Sequence, residues 1–145
     1  MNSKAKLSVL LQNINDLEKR PLSVQEGEIL KYLSRELKRF SEIIDSFDDK
    51  VREKAWNDVI SSVSLIVTKA NMLTISAFQP TLTSTIKSEE IFELMDSLLD
   101  FCTGLIGEIV AIVKSNMKDM GLDSITFTVN QTMLTVNVSM VFKGA

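Results

Sequence analysis

Histidine is absent from this chain, and that absence removes more chemistry than any other. Serine and cysteine triads, HExxH zinc sites and the Glu-x-x-His element of di-iron bundles all require an imidazole. A single cysteine, Cys102, excludes an intrachain disulfide and fits a reducing, intracellular setting. Two prolines and five glycines in 145 residues are too few to punctuate an all-β chain, so long elements are favoured. No Gly-rich phosphate loop, EF-hand spacing or CxxC pair occurs. Net charge is −3 and pI is near 5.0, against a nucleic-acid binder driven by phosphate contacts. No signal peptide is expected, because the apolar run Leu7–Leu11 is short and leads into Gln12, Asn13 and Asn15.

What is present suits one globular domain. Hydrophobic residues make up 45% and charged residues 24%, and a chain of this length buries about two-thirds of its unfolded surface on folding. Two windows, Val59–Phe78 and Leu94–Val113, approach the length of a bilayer span. The first holds Lys69 and Asn71, the second Asp96, Asp100 and Glu108. Each intramembrane charge costs at least ~2.5 kcal/mol, so amphipathic helices and no membrane are expected.

Leu7, Leu10, Leu11, Ile14 and Leu17 recur at helical spacing and predict a helix over 4–19. Pro21 ends it. Ser23 and Glu26 form a capping-box signature for a second helix over 23–46, with the stripe Leu30, Leu33, Leu37, Phe40, Ile44, Phe47 and Val51. The run Asp45–Asp49 is the expected break before a third helix over 48–77. One bent helix is the alternative, because no Gly or Pro lies between Glu28 and Gln79. The third stripe runs Val51, Ala55, Val59, Val63, Ile66, Ala70, Leu73 and Ala77, widened by Trp56, Ile60 and Val67. After a polar linker at 79–85, Ser88 caps a fourth helix over 88–120 that closes near Gly121.

Beyond Asp123 the period drops from 3.6 to 2. Ile125, Phe127 and Val129 alternate with threonines; Leu134, Val136, Val138, Met140 and Phe142 alternate with Thr135, Asn137 and Ser139. A hairpin over 124–143 follows. Its apolar positions are odd in one strand and even in the other, so they share a face only across a loop with an even number of residues. Asn130–Gln131 and Asn130–Met133 both satisfy this. The expected fold is therefore mainly α: a four-helix bundle (1–121) with a C-terminal β-hairpin, in the same domain or facing a partner.

No catalytic, cofactor-binding or metal site is expected. Cys102 lies on an apolar helix face and reads as a small buried hydrophobe. Glu89, Glu93 and Asp96 could be imagined around Mg²⁺, but carboxylates on an amphipathic surface account for them. Two candidate contact regions remain. Residues 88–113 hold six acids (Glu89, Glu90, Glu93, Asp96, Asp100, Glu108) and no Lys or Arg. They form either a solvated face beside the stripe Lys31, Arg35, Lys38, Arg39, or a strip that docks on a basic surface, with Glu89, Glu93, Asp96 and Asp100 in contact. The hairpin's polar face, Thr126, Thr128, Thr135, Asn137 and Ser139, carries no charge, and nothing before Lys143 guards its edges. Either the hairpin packs on the bundle or it pairs with a partner.

Taken over its whole length, with a helical bundle and a distinct tail at Ser124–Ala145, the chain resembles the family of RNA polymerase inhibitory proteins of two-tailed archaeal viruses and their related helix-bundle virion proteins. Its Lys/Ile/Asn/Ser-rich usage is compatible with that source. The resemblance carries no site residue across. It implies a non-enzymatic protein in the host cytoplasm that occupies the DNA-binding channel of host RNA polymerase and blocks transcription. Direct nucleic-acid binding is not expected. The alternative it implies is a virion structural or assembly protein, for which a homo-oligomer is possible.

Overall fold

The computed structural model describes residues 2–79, 83–130, 132 and 134–144. Helix α1 (Asn2–Glu18) buries Leu7, Leu10, Ile14 and Leu17, the stripe its spacing predicts. Ser23 then caps α2 (Val24–Arg52) with both halves of the capping box in place. The Glu26 amide donates to Ser23 Oγ and the Ser23 amide donates to Glu26 Oε1, each at 3.2 Å.

The expected break at Asp45–Asp49 is not where the chain turns. Helix α2 runs through it for 29 residues, because Ile44 and Phe47 are fully buried and keep the stripe continuous. Asp45 and Asp48 stay inside that helix. Both take Lys4 of α1 as an ion-pair partner, at 2.9 and 2.7 Å, and Asp48 first, then Asp45, holds the Lys4 ammonium well above its ordinary range.

The turn comes at Glu53–Ala55 instead. Lys54 adopts φ +57°, the Ala55 amide donates to the Lys50 carbonyl, and the Lys54 amide donates to that of Val51. This is a Schellman ending with lysine where glycine is usual, so no sequence signal marks it. Helix α3 (Trp56–Ala77) follows, burying Val59, Val63, Ile66, Ala70, Leu73 and Ala77. By length and composition α3 could cross a membrane; here its apolar stripe lies in the bundle core. The Pro80–Leu82 part of the predicted linker lies outside the described residues.

Helix α4 (Glu89–Ser115) starts at the expected Ser88 cap, where the Ile91 amide donates to Ser88 Oγ. It stops short of the expected residue 120. Asn116 interrupts it, turning its side-chain amide back onto the Ile112 carbonyl at 2.8 Å. A single turn, α5 (Met117–Met120), then ends at Gly121 in the left-handed region, φ +71°. Around the bundle α1 packs on α2, α2 on α3, α3 on α4 and α4 on α1. The diagonal closes through Phe40 of α2 and Phe101 of α4, edge to face with centroids 6.0 Å apart.

The hairpin is antiparallel, β1 (Leu122–Asn130) with β2 (Thr135–Phe142). Its first strand begins two residues earlier than expected. The parity rule holds: Ile125 faces Met140, Phe127 faces Val138 and Val129 faces Val136. Asn130 pairs with Thr135, so four residues intervene, one position later than the four-residue loop anticipated; of them Gln131 and Met133 lie outside the described residues. A bulge between Leu122 and Ser124 lets both Leu122 and Ile125 turn inward. Strand β2 rests on α3, and β1 on α4 and α5.

Candidate functional site

Helix α4 divides into two faces. Ile91, Leu94, Met95, Leu98, Phe101, Cys102, Leu105, Ile109 and Val113 are buried. Cys102 is among them as expected; burial pushes its thiol up to about 12, partly offset by a hydrogen bond with Thr74, so it is inert as a nucleophile at neutral pH. On the other face the six acids separate by use. Glu90 pairs with Arg20 at the end of α1. Glu108 accepts the Ser3 amide at 3.3 Å and so caps the start of α1. Glu89, Glu93, Asp96 and Asp100 are exposed, and among the described residues none of them forms an ion pair.

Those four carboxylates follow steps of four, three and four. That spacing places them in one row over roughly 16 Å of helix, with about 5.5 Å between neighbours. A single strand of B-DNA carries one phosphate per ~3.4 Å of axis. The row therefore has somewhat over half the linear charge density of one DNA strand. Beside it, two adjoining hollows of about 340 and 390 Å³ lie between α1 and α4 and share Asn13 and Ser97. Arg20 borders one and Lys6 the other.

The basic stripe is elsewhere. Lys31, Arg35, Lys38 and Arg39 line a groove of about 700 Å³ between α1 and α2, together with Glu18 and Glu42. This stripe was the expected neighbour of the acids under the solvated-face reading. In the bundle α1 stands between the two, so the acids are not neutralised by it. The stripe is balanced locally: Glu36 receives Arg39 at 3.2 Å and lies 3.8 Å from Arg35, whose guanidinium sits over the Tyr32 ring.

The hairpin takes a middle course between the two readings given it. Leu122, Ile125 and Val136 are buried, whereas Phe127, Val129 and Leu134 are exposed, as are Val141 and Phe142. Pairing brings the expected polar residues onto one face, Thr126 beside Ser139, Thr128 beside Asn137 and Thr135 beside Asn130. Thr126, Thr128, Asn137 and Ser139 are exposed and Thr135 is half-buried.

Two functional side chains escaped the sequence. Asn71 of α3 grips the outer edge of β2 as a peptide group would. Its Nδ2 donates to the Val136 carbonyl at 2.7 Å, and its Oδ1 accepts the Val136 amide at 2.8 Å. One edge of the hairpin is thus guarded by a neighbour in space, where none was expected. Glu26 does more than complete its capping box: its Oε2 accepts the amides of Lys87 and Ser88 at 3.2 and 3.1 Å, tying the start of α2 to the start of α4. These donors, the Ser23 amide foremost, hold its carboxyl below the ordinary value against the opposing effect of desolvation. An asparagine in a helix and a glutamate at N3 carry no local mark of such partners. Among the described residues no group of three or more acids or cysteines is placed to hold a metal ion. No family model, curated protein or solved structure matches the chain.

Proposed function

We propose that the chain is a non-enzymatic binding protein that docks the exposed row of α4 on a basic protein surface of the kind that receives nucleic acid. The DNA-binding channel of a host RNA polymerase is the surface implied by the sequence resemblance, and its occupation by a viral inhibitor would block transcription. The observation that carries this reading is that Glu89, Glu93, Asp96 and Asp100 stand in one exposed row and, among the described residues, none of them forms an ion pair. Such a row gains from a cationic partner through long-range attraction and steering of the encounter. Its modest charge density means that shape and apolar contact must supply much of the affinity.

The test is a pull-down with RNA polymerase from an archaeal host, followed by transcription on a linear template. Retention on the polymerase and loss of DNA loading as the protein is titrated are the expected results. Normal loading at saturating protein would overturn the channel-blocking mechanism. A second reading, a structural or assembly protein such as a virion component, is supported by the exposed apolar side chains of the hairpin, Phe127, Val129, Val141 and Phe142. Light scattering after size exclusion separates the two, because assembly requires an oligomer and channel blocking does not.

A further inference from the structure

Helices α1 and α4 run antiparallel, Ser3 meeting Glu108 at one end and Arg20 meeting Glu90 at the other. The two hollows between them lie in line and make one trough. It follows α1 from Lys6 to Leu17, roughly 16 Å or three helical turns. Its floor is apolar, with Leu10 and Phe101 in one hollow and Leu17 and Leu94 in the other. Its two rims differ. The α4 rim carries Glu93 and Asp100, with Glu89 and Asp96 of the same row beside them. The α1 rim carries Val9, Asn13 and Asp16, and Val9 is 58% exposed. Both bordering cations stand at the ends. Arg20 is held by Glu90, and Lys6 lies toward Gly104, where an added methyl group would come to 3.5 Å from its ammonium.

We infer, resting on the docking of the α4 row proposed above, that this trough receives an amphipathic helix of the partner protein with Lys or Arg along the flank that faces α4. The rims are helices whose backbone groups are spent on their own turns. Strand addition therefore has no edge to extend, and the incoming segment must bind through its side chains. A helix presents them on one face, at i, i+3, i+4 and i+7, over the three turns that the trough offers. Its apolar stripe covers Val9 and lies over the floor. Cations at steps of three and four on one flank then meet Glu93, Asp96 and Asp100, which follow the same steps. A second copy of this chain does not supply such a helix. The cations of α2 accompany Leu30, Leu33, Leu37 and Phe40, and that stripe is sealed in the core. A nucleic acid is disfavoured as well, because its phosphates would face the carboxylates.

The probe is a synthetic, fluorescently labelled peptide of about 16 residues, with leucines at i, i+3, i+4 and i+7 and lysines along one flank. One control has the same residues in scrambled order, and a second has glutamates in place of the lysines. Fluorescence anisotropy is expected to show saturable binding of the basic amphipathic peptide, at least about tenfold tighter than either control. The amide signals of Val9, Asn13 and Ser97 shift on binding. Val9→Arg sets a bulky cation in the trough and is expected to weaken binding at least about tenfold; because Val9 is a surface residue, thermal unfolding stays unchanged. Glu93→Lys with Asp100→Lys reverses the preference toward the glutamate peptide, which a folding defect could not do. No saturable binding at ~1 mM peptide, equal binding of the scrambled control, or full affinity in Val9→Arg would overturn the inference. Polymerase pull-downs keep the two proposals apart. Retention lost on reversal of Glu93, Asp96 and Asp100 but kept in Val9→Arg leaves the row standing and removes the trough; retention kept in both removes the row itself.

Discussion

Helices α2 and α4 flank α1 on opposite sides, and each shows solvent a stripe of charge. On α2 the cations alternate with Glu36 and Glu42, and the stripe is balanced within a turn or two by pairs such as Arg39 with Glu36. On α4 one sign runs alone from Glu89 to Glu108, and only its ends are used internally, by Arg20 and by the Ser3 amide. A mixed stripe satisfies itself wherever it lies. A stripe of one sign depends on what the fold brings beside it, and here the fold brings α1, with Lys6 and Arg20 at its margins. The unspent charge is thus a property of the arrangement as much as of the helix.

That contrast can be broken most severely from inside, where α2 and α4 meet. Phe101→Ala empties the ring contact with Phe40 and should cost about 3–5 kcal/mol of unfolding free energy, read by urea denaturation. A cost below ~1 kcal/mol would mean that the two helices are not coupled through the core.

The surfaces are distinguished by parallel charge reversals. Glu93→Lys, Asp96→Lys and Asp100→Lys together should weaken binding to a polymerase partner roughly tenfold to a hundredfold, and flatten its dependence on salt. Lys31→Glu, Arg35→Glu and Lys38→Glu should change affinity by no more than about twofold. Equal losses from the two triplets would erase the functional difference between the helices.

A smaller effect tests the link between the two helix starts. Glu26→Gln should lower Tm by roughly 5 °C or more by weakening the bonds from Ser23, Lys87 and Ser88. The folded carboxyl titrates below its ordinary value of 4.5. Its contribution is therefore full above that value and is lost as pH falls through the lower, folded one. Urea midpoints of the wild type and Glu26→Gln should converge on acidification below about pH 4. A constant gap across the range would assign the effect to packing instead.

Least of all is the gain expected at the end of α2. Lys54→Gly relieves a left-handed residue and should stabilise by up to about 1 kcal/mol. A loss would show that the lysine side chain earns its place there by a contact.

The helical stripes, the Ser23 and Ser88 caps, the Gly121 ending and the odd–even pairing of the hairpin were legible because each rests on residues within a few positions of one another. The site was legible in part. Glu89, Glu93, Asp96 and Asp100 could be placed in one row by spacing alone, and the polar face of the hairpin by alternation. The turn at Glu53–Ala55 was not legible, since Lys54 there takes a conformation usual for glycine, while the run Asp45–Asp49 looks like a break and two of its acids, Asp45 and Asp48, pair with Lys4.

Sequence by itself determined the periodicity, and hence which side of each element is apolar and which carboxylates align, because these follow from helix and strand geometry within one segment. Only tertiary structure decided that α1 separates the acids of α4 from the cations of α2, that Glu26 joins two helix starts, and that Asn71 closes the β2 edge of the hairpin at Val136. Each of those outcomes depends on residues tens of positions apart. No local propensity carries that information; packing of the four stripes into one core supplies it.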